Sequence, residues 1–132
     1  MSFLLDTDIC SAHLRRPAGL THRFIQHSGR LFTSTLVWGE LHAGAYHAPN
    51  PHALLPGIIS LLADVHLLSF DQACAEEFGK LRGALLTRGL SVPTVDLMIA
   101  ATALVNNLTL VTHNTNDYRN VPGLRLDDWL LP

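Results

Sequence analysis

Phe3-Leu4-Leu5-Asp6-Thr7-Asp8-Ile9-Cys10 decides the fold class of this 132-residue chain. Three consecutive apolar residues match a short strand buried on both faces, as in a parallel sheet. The run stops at an aspartate, and Asp6-Thr7-Asp8 supplies a capping side chain for a helix that begins at once. A strand passing directly into a helix is the opening of an alternating α/β chain.

The first helix runs to about Arg16, where Pro17 and Gly19 end it. A second helical stretch covers Thr21 to His27, and Ser28-Gly29 turns the chain into the strand Leu31-Phe32-Thr33. From Thr35 to about Ala45, Val37, Leu41 and Gly44 recur at helical spacing, and Glu40 falls about 60° from Val37, which predicts a carboxylate on the inward face. Beyond the breakers Pro49-Asn50-Pro51, a helix is expected over Leu54 to Leu62 and a strand over Val65 to Leu68. Asp71 caps a long helix that ends near Arg88-Gly89. Pro93 opens another, with an inward stripe of Asp96, Ile99, Ala100 and Ala103, and the strand Thr109 to Thr112 follows. Asn114 to Tyr118 reads as a turn or short helix, Pro122-Gly123 as a turn, and Leu124 to Leu126 as a last strand. The pattern predicts an α/β fold of three layers, α/β/α, with a short, mainly parallel sheet of four to five strands and one domain over 1–132.

Composition narrows the function. A hydrophobic fraction of 48% against 15% charged residues describes a packed globular chain. Cys10 and Cys74 stand among apolar neighbours and read as small hydrophobes in a reducing compartment. No signal-like segment or apolar run of about 20 residues is present, so a cytoplasmic location is expected. With a net charge of -2 and Lys80 as the sole lysine, bulk attraction to nucleic acid is absent, and any RNA contact has to be local, through arginines such as Arg15, Arg16, Arg82 and Arg88.

In an open parallel sheet, ligands bind beyond the carboxyl ends of the strands. Asp6 follows the first strand, Glu40 lies on the helix after the second, Asp96 opens the helix leading into the fourth, and Thr112, Asn114 and Asp117 follow that strand. Four carboxylates at one edge repel, by about 4 kcal/mol per pair about 4 Å apart at an effective dielectric near 20, unless some hold protons or a cation sits among them. Hard oxygen ligands without clustered cysteines or an HExxH spacing point to Mg2+ or Mn2+ rather than zinc. Singly, each acid has a plainer reading: Asp6 as a helix cap, Asp96 as a complement to a helix dipole, Glu40 as a solvated side chain, Asp117 as a turn former. The histidines His42, His47 and His52 are spaced by five and share no helical face, and His113 reads as a loop residue beside the acids.

The segments Leu4-Leu5-Asp6-Thr7-Asp8, Val37-Trp38-Gly39-Glu40-Leu41-His42-Ala43-Gly44-Ala45, Asp96-Leu97-Met98-Ile99-Ala100-Ala101-Thr102-Ala103 and Leu110-Val111-Thr112-His113-Asn114, with Asp117-Tyr118 and Pro122-Gly123-Leu124, give the chain a specific likeness. In order and spacing it resembles the VapC-type PIN-domain ribonuclease toxins of type II toxin-antitoxin systems. The resemblance implies a PIN-like fold and catalytic acids Asp6, Glu40, Asp96 and Asp117. Asp6 and Asp96 would be the metal contacts, with Thr7, Thr112 and Asn114 in support. It further implies Mg2+- or Mn2+-dependent endoribonuclease activity on structured RNA, a homodimer, and inhibition by a VapB-type antitoxin whose C-terminal segment lies across the active-site groove. Two departures stand out: Asp8, where the family often has asparagine, and Tyr118 in place of the commoner phenylalanine, an exchange expected to be neutral.

Two rival readings remain at this point. Strand-Asp6-Thr7-Asp8 is also similar to haloacid-dehalogenase-like phosphotransferases, although those want a threonine or valine where Cys10 stands, and a later lysine with a closing acidic pair after a strand, whereas Lys80 sits mid-helix with no such pair. The other is a non-catalytic dimeric RNA-binding module, which metal dependence would separate from an enzyme.

Overall fold

The computed structural model describes residues 1–131. Strand β1 (Phe3–Leu5) passes through Asp6 into helix α1 (Thr7–Arg15), and α2 (Thr21–Gln26) leads to β2 (Leu31–Ser34). Helix α3 (Thr35–His47) follows without a break, then α4 (Pro51–Ser60), β3 (His66–Leu68) and α5 (Gln72–Thr87). The chain closes with α6 (Thr94–Val105), β4 (Thr109–Val111), the short α7 (Thr115–Tyr118) and β5 (Leu126–Asp127).

All five strands are parallel, in the order β3-β2-β1-β4-β5. The chain builds one side of the sheet through β2 and β3, then returns to the other side of β1 for β4 and β5. The strand order therefore reverses between β1 and β4, and a crevice forms at the carboxyl ends of such a pair. Leu5 is paired with Val111, so Asp6 and Thr112 emerge side by side at that crevice. β1 and β4 are buried throughout while the outer strands β3 and β5 are only partly covered, which means that helices shield both faces of the sheet centre.

Packing explains why the short strands hold. Leu4, Leu5, Leu110 and Val111 are fully buried, and Thr33 ties β2 to β1 by donating its hydroxyl to the Leu5 carbonyl at 2.7 Å. In α6 the residues from Ile99 to Ala103 are buried all round, the mark of a core helix, and the small side chains of Ala100, Ala101 and Ala103 let α5 and other elements pack closely. Gly89 ends α5 with φ of 69°, a left-handed conformation that glycine adopts without a Cβ penalty.

Among the boundaries that differ from the sequence reading, two have a plain physical reason. Pro51, placed among the helix breakers, is the first residue of α4, because that position needs no backbone N–H. The last strand lies at Leu126–Asp127 rather than Leu124–Leu126, since Leu124 is still held in a turn by its N–H to the Val121 carbonyl.

Candidate active site

Asp6 is the centre of the site. It is 6% exposed, and its backbone N–H is fixed to the Val111 carbonyl at 3.0 Å. Its Oδ1 accepts the Thr7 N–H at 2.7 Å, so the residue does cap α1. Its Oδ2 accepts the hydroxyls of Thr112 and Tyr118, each at 3.0 Å. The plain and the functional readings of Asp6 therefore coexist on one carboxylate. Burial raises its pKa first and the charge of Asp8 adds to that, while the Thr7, Thr112 and Tyr118 hydrogen bonds oppose the rise.

Asp96 lies half-buried in the first turn of α6. Its pKa is pushed up to about 6, first by burial and then by the charges of Asp6, Asp117 and Glu40, while the nearby Tyr118 hydroxyl opposes the rise. The fold thus brings the four predicted acids from distant stretches into one electrostatic neighbourhood. Like charges gathered in this way disfavour their own ionisation, and a cation would relieve them.

Glu40 is exposed, where the helical spacing predicts an inward face. The buried residues of α3 are Val37, Leu41 and Ala45, and the 60° offset from Val37 carries Glu40 to the rim rather than the interior. There it accepts a hydrogen bond from the Thr7 hydroxyl. Gly44, grouped with that inward stripe, is exposed as well. Asp117 is exposed on the first turn of α7. Asn114 contributes through its backbone, donating N–H to Thr112 Oγ1 at 3.1 Å, while its side chain makes no capping bond to α7.

The donor set is entirely oxygen, which suits a hard divalent cation. Among the described residues, no three His, Cys, Asp or Glu side chains stand close enough to enclose an ion on their own. Asp6 and Asp96 are the two acids whose burial leaves them least hydrated, and an ion that takes one or two carboxylates and completes its shell with water fits such an open set.

Three residues emerge that sequence reasoning placed outside the site or left without a role. Tyr118, 1% exposed, donates to Asp6, and burial followed by the charges of Asp6 and Asp96 raises the pKa of its phenol. The exchange expected to be neutral thus brings a hydroxyl with a partner in the site, and the hydroxyl itself was the signal. Asp8 faces the loop after β4, accepting the His113 N–H at 2.9 Å. His113 in turn pairs with Asp128, its Nδ1 lying 3.0 Å from Oδ2. Cys10 and Cys74 are free and buried, as expected of packing residues. Lys80, the cation a phosphotransferase would need, is exposed on α5 and is not among the charges acting on Asp6 or Asp96.

Known proteins with this arrangement agree. The PIN domain model matches residues 3–124. The tRNA(fMet)-specific endonuclease VapC of Shigella flexneri is 34% identical over 130 residues, 98% of each chain. Among solved structures, DNA-bound VapBC from Salmonella typhimurium superposes with a TM-score of 0.93 at 29% identity over 98% of both chains. VapBC2 from Rickettsia felis gives 0.92 at 26% identity over 98% of this chain and 99% of the other. These matches displace the haloacid-dehalogenase-like reading, and with the acids at the β1/β4 crevice they have one meaning: the chain belongs to the PIN-domain family of VapC ribonucleases.

Proposed function

We propose that this chain is a divalent-metal-dependent endoribonuclease that cleaves structured RNA and serves as the toxin of a VapBC pair. The observation that carries this reading is the gathering of Glu40, Asp96 and Asp117, from distant stretches of the chain, around the buried Asp6 that follows β1 where the strand order reverses. Those acids meet at the sheet's switch point without a positive side chain among the charges that act on Asp96. Asp6 and Asp96 would hold Mg2+ or Mn2+, with Glu40 and Asp117 at the rim acting through water. The chemistry such an ion supplies is activation of a water and neutralisation of charge on a phosphoryl oxygen.

The chain's own residues prepare this chemistry. Thr112 and Tyr118 hold the Asp6 carboxylate, and Thr7 holds Glu40 at the opening of the crevice. Uncompensated acids repel an RNA phosphate, so productive approach requires the cation and local guanidinium groups rather than net charge. The name of the Shigella relative, which specifies a transfer RNA, supports structured RNA as the substrate class.

An antitoxin partner is supported by the relatives crystallised as VapBC complexes. In this chain a groove of about 470 Å³ lies between α1, α3 and α4, lined by Leu14, Arg15, Glu40, Gly44, Leu54 and Ile58. Its wall is mainly apolar, with Glu40 shared by groove and crevice, so a peptide seated there would reach the catalytic acids. We assign the antitoxin's C-terminal segment to this groove and infer a homodimer for the toxin.

The deciding experiment is incubation of purified protein with transfer RNA followed by sequencing of the fragment 5′ ends. Discrete cuts with Mg2+ or Mn2+ that vanish in EDTA are expected. RNA binding that survives EDTA with no cuts would replace the enzyme with a binding module. For the groove, Gly44→Phe is the test, because Gly44 lines the groove and a Cβ there meets nothing within 4 Å. Calorimetry with the small protein that copurifies should register at least about a tenfold loss of affinity, 1.4 kcal/mol, with RNA cleavage retained.

A further inference from the structure

Among the described residues, three hydrogen bonds reach the Asp6 carboxylate, and they are unequally shared. Of these, Oδ1 accepts the Thr7 N–H. Oδ2 accepts both the Thr112 hydroxyl, from the end of β4, and the Tyr118 hydroxyl, from α7. A carboxylate offers about four lone-pair sites, two on each oxygen. Oδ2 is therefore filled, and the one remaining site is on Oδ1.

The two hydroxyls come from different elements, so they brace the carboxylate against rotation about its Cβ–Cγ bond. Thr112 is itself fixed, since its Oγ1 accepts the Asn114 N–H while donating to Asp6. Tyr118 is 1% exposed, so neighbours on all sides restrict its ring and water does not compete for its hydroxyl as it would for a surface donor. A phenylalanine ring would fill the same space and leave Oδ2 with a single partner.

We propose that Tyr118 is a positioning residue that fills the second acceptor site of Asp6 Oδ2 and so presents Asp6 to a divalent cation through Oδ1 alone. This rests on the metal-dependent reading given above. Partners that orient a ligand from behind are worth about 10- to 100-fold in metal affinity or activity.

The test is calorimetric titration with Mn2+ alone of the wild-type protein, Tyr118→Phe, Tyr46→Phe and Asp6→Asn. Tyr118→Phe should bind about tenfold more weakly, and saturating Mn2+ should restore much of its RNA cleavage. Tyr46→Phe, at an exposed tyrosine on α3, should match the wild type. If folded Tyr118→Phe binds Mn2+ as the wild type does while Asp6→Asn has lost binding, the role of Tyr118 is overturned and the metal reading stands. If the wild type binds no Mn2+, or Asp6→Asn binds equally well, the metal reading falls and the positioning role with it. Should Tyr118→Phe not fold, 3-fluorotyrosine in the Tyr46→Phe chain leaves one fluorine resonance, because the sequence has two tyrosines. A shift that saturates as Mg2+ is added supports the bracing of Asp6, and a resonance indifferent to Mg2+ overturns it.

Discussion

Asp6 and Asp71 obey the same local grammar and end with opposite electrostatics. Each follows a strand, and each caps the helix that comes next, Asp6 through the Thr7 N–H and Asp71 through the Cys74 N–H at 3.0 Å. Asp71 is exposed beyond the edge strand β3, and the Cys74 amide bond lowers its pKa. Asp6 is buried beyond the central strand β1, where desolvation and Asp8 raise its pKa. Capping is thus common to both, and what separates a site from a structural aspartate is the strand it terminates and the company that topology brings to it.

The largest effect expected from this contrast is on cleavage. Asp6→Asn should lower the RNA-cleavage rate by more than about 100-fold, beyond the usual loss for outer-shell partners, whereas Asp71→Asn should leave the rate unchanged. The asparagine keeps a carbonyl acceptor and nearly the same volume, so circular dichroism and thermal melting should report an intact fold. An Asp6→Asn protein that cuts at the wild-type rate would remove the distinction between the two aspartates.

Stability against pH gives a second, smaller separation. A carboxyl whose folded pKa lies above its unfolded value holds its proton more tightly when folded, so its stabilising contribution is complete at low pH and is lost as pH rises through the folded value. For Asp96 that window runs from the ordinary 3.8 to about 6. Metal-free protein should lose up to about 2 kcal/mol across it, after discounting for solvent screening. Asp96→Asn should flatten the slope, and Mg2+ should do so in the wild type. Asp71 contributes with the opposite sign, its lowered pKa giving stability that is present above the ordinary carboxyl value and lost on acidification. Urea denaturation of the variants at several pH values measures both slopes.

The same contrast marks how far the sequence could be read. Apolar runs such as Phe3-Leu4-Leu5 and Thr109-Leu110-Val111 announce buried strands because both faces must be covered, and capping residues such as Asp6, Ser34 and Asp71 mark helix starts through a local bond. What brings Asp6 beside Thr112 is a pairing across 106 positions, settled by strand order rather than by neighbours. Glu40 shows the limit of periodicity, since an offset of about 60° separates a core position from a rim position only once the packing of α3 against α1 and α4 is known. Tyr118 shows another limit. Its ring announces burial, but the partner of its hydroxyl lies 112 positions away.

The smallest effect belongs to the plain capping role, and it falls on the edge of the sheet. Asp71→Ala leaves the Cys74 N–H at the start of α5 without its side-chain acceptor, on a residue that is itself buried. The melting temperature should fall by a few degrees, Asp71→Ser should recover most of it because serine caps comparably, and neither change should alter cleavage or its response to Mg2+. Asp6→Ala removes a cap of the same kind, but it also leaves the buried Thr112 and Tyr118 hydroxyls without their acceptor, so it should lower the melting temperature further than Asp71→Ala does. If the two alanine variants lost equal stability and equal activity, burial at the switch point would have no consequence beyond the cap, and the crevice would be structural.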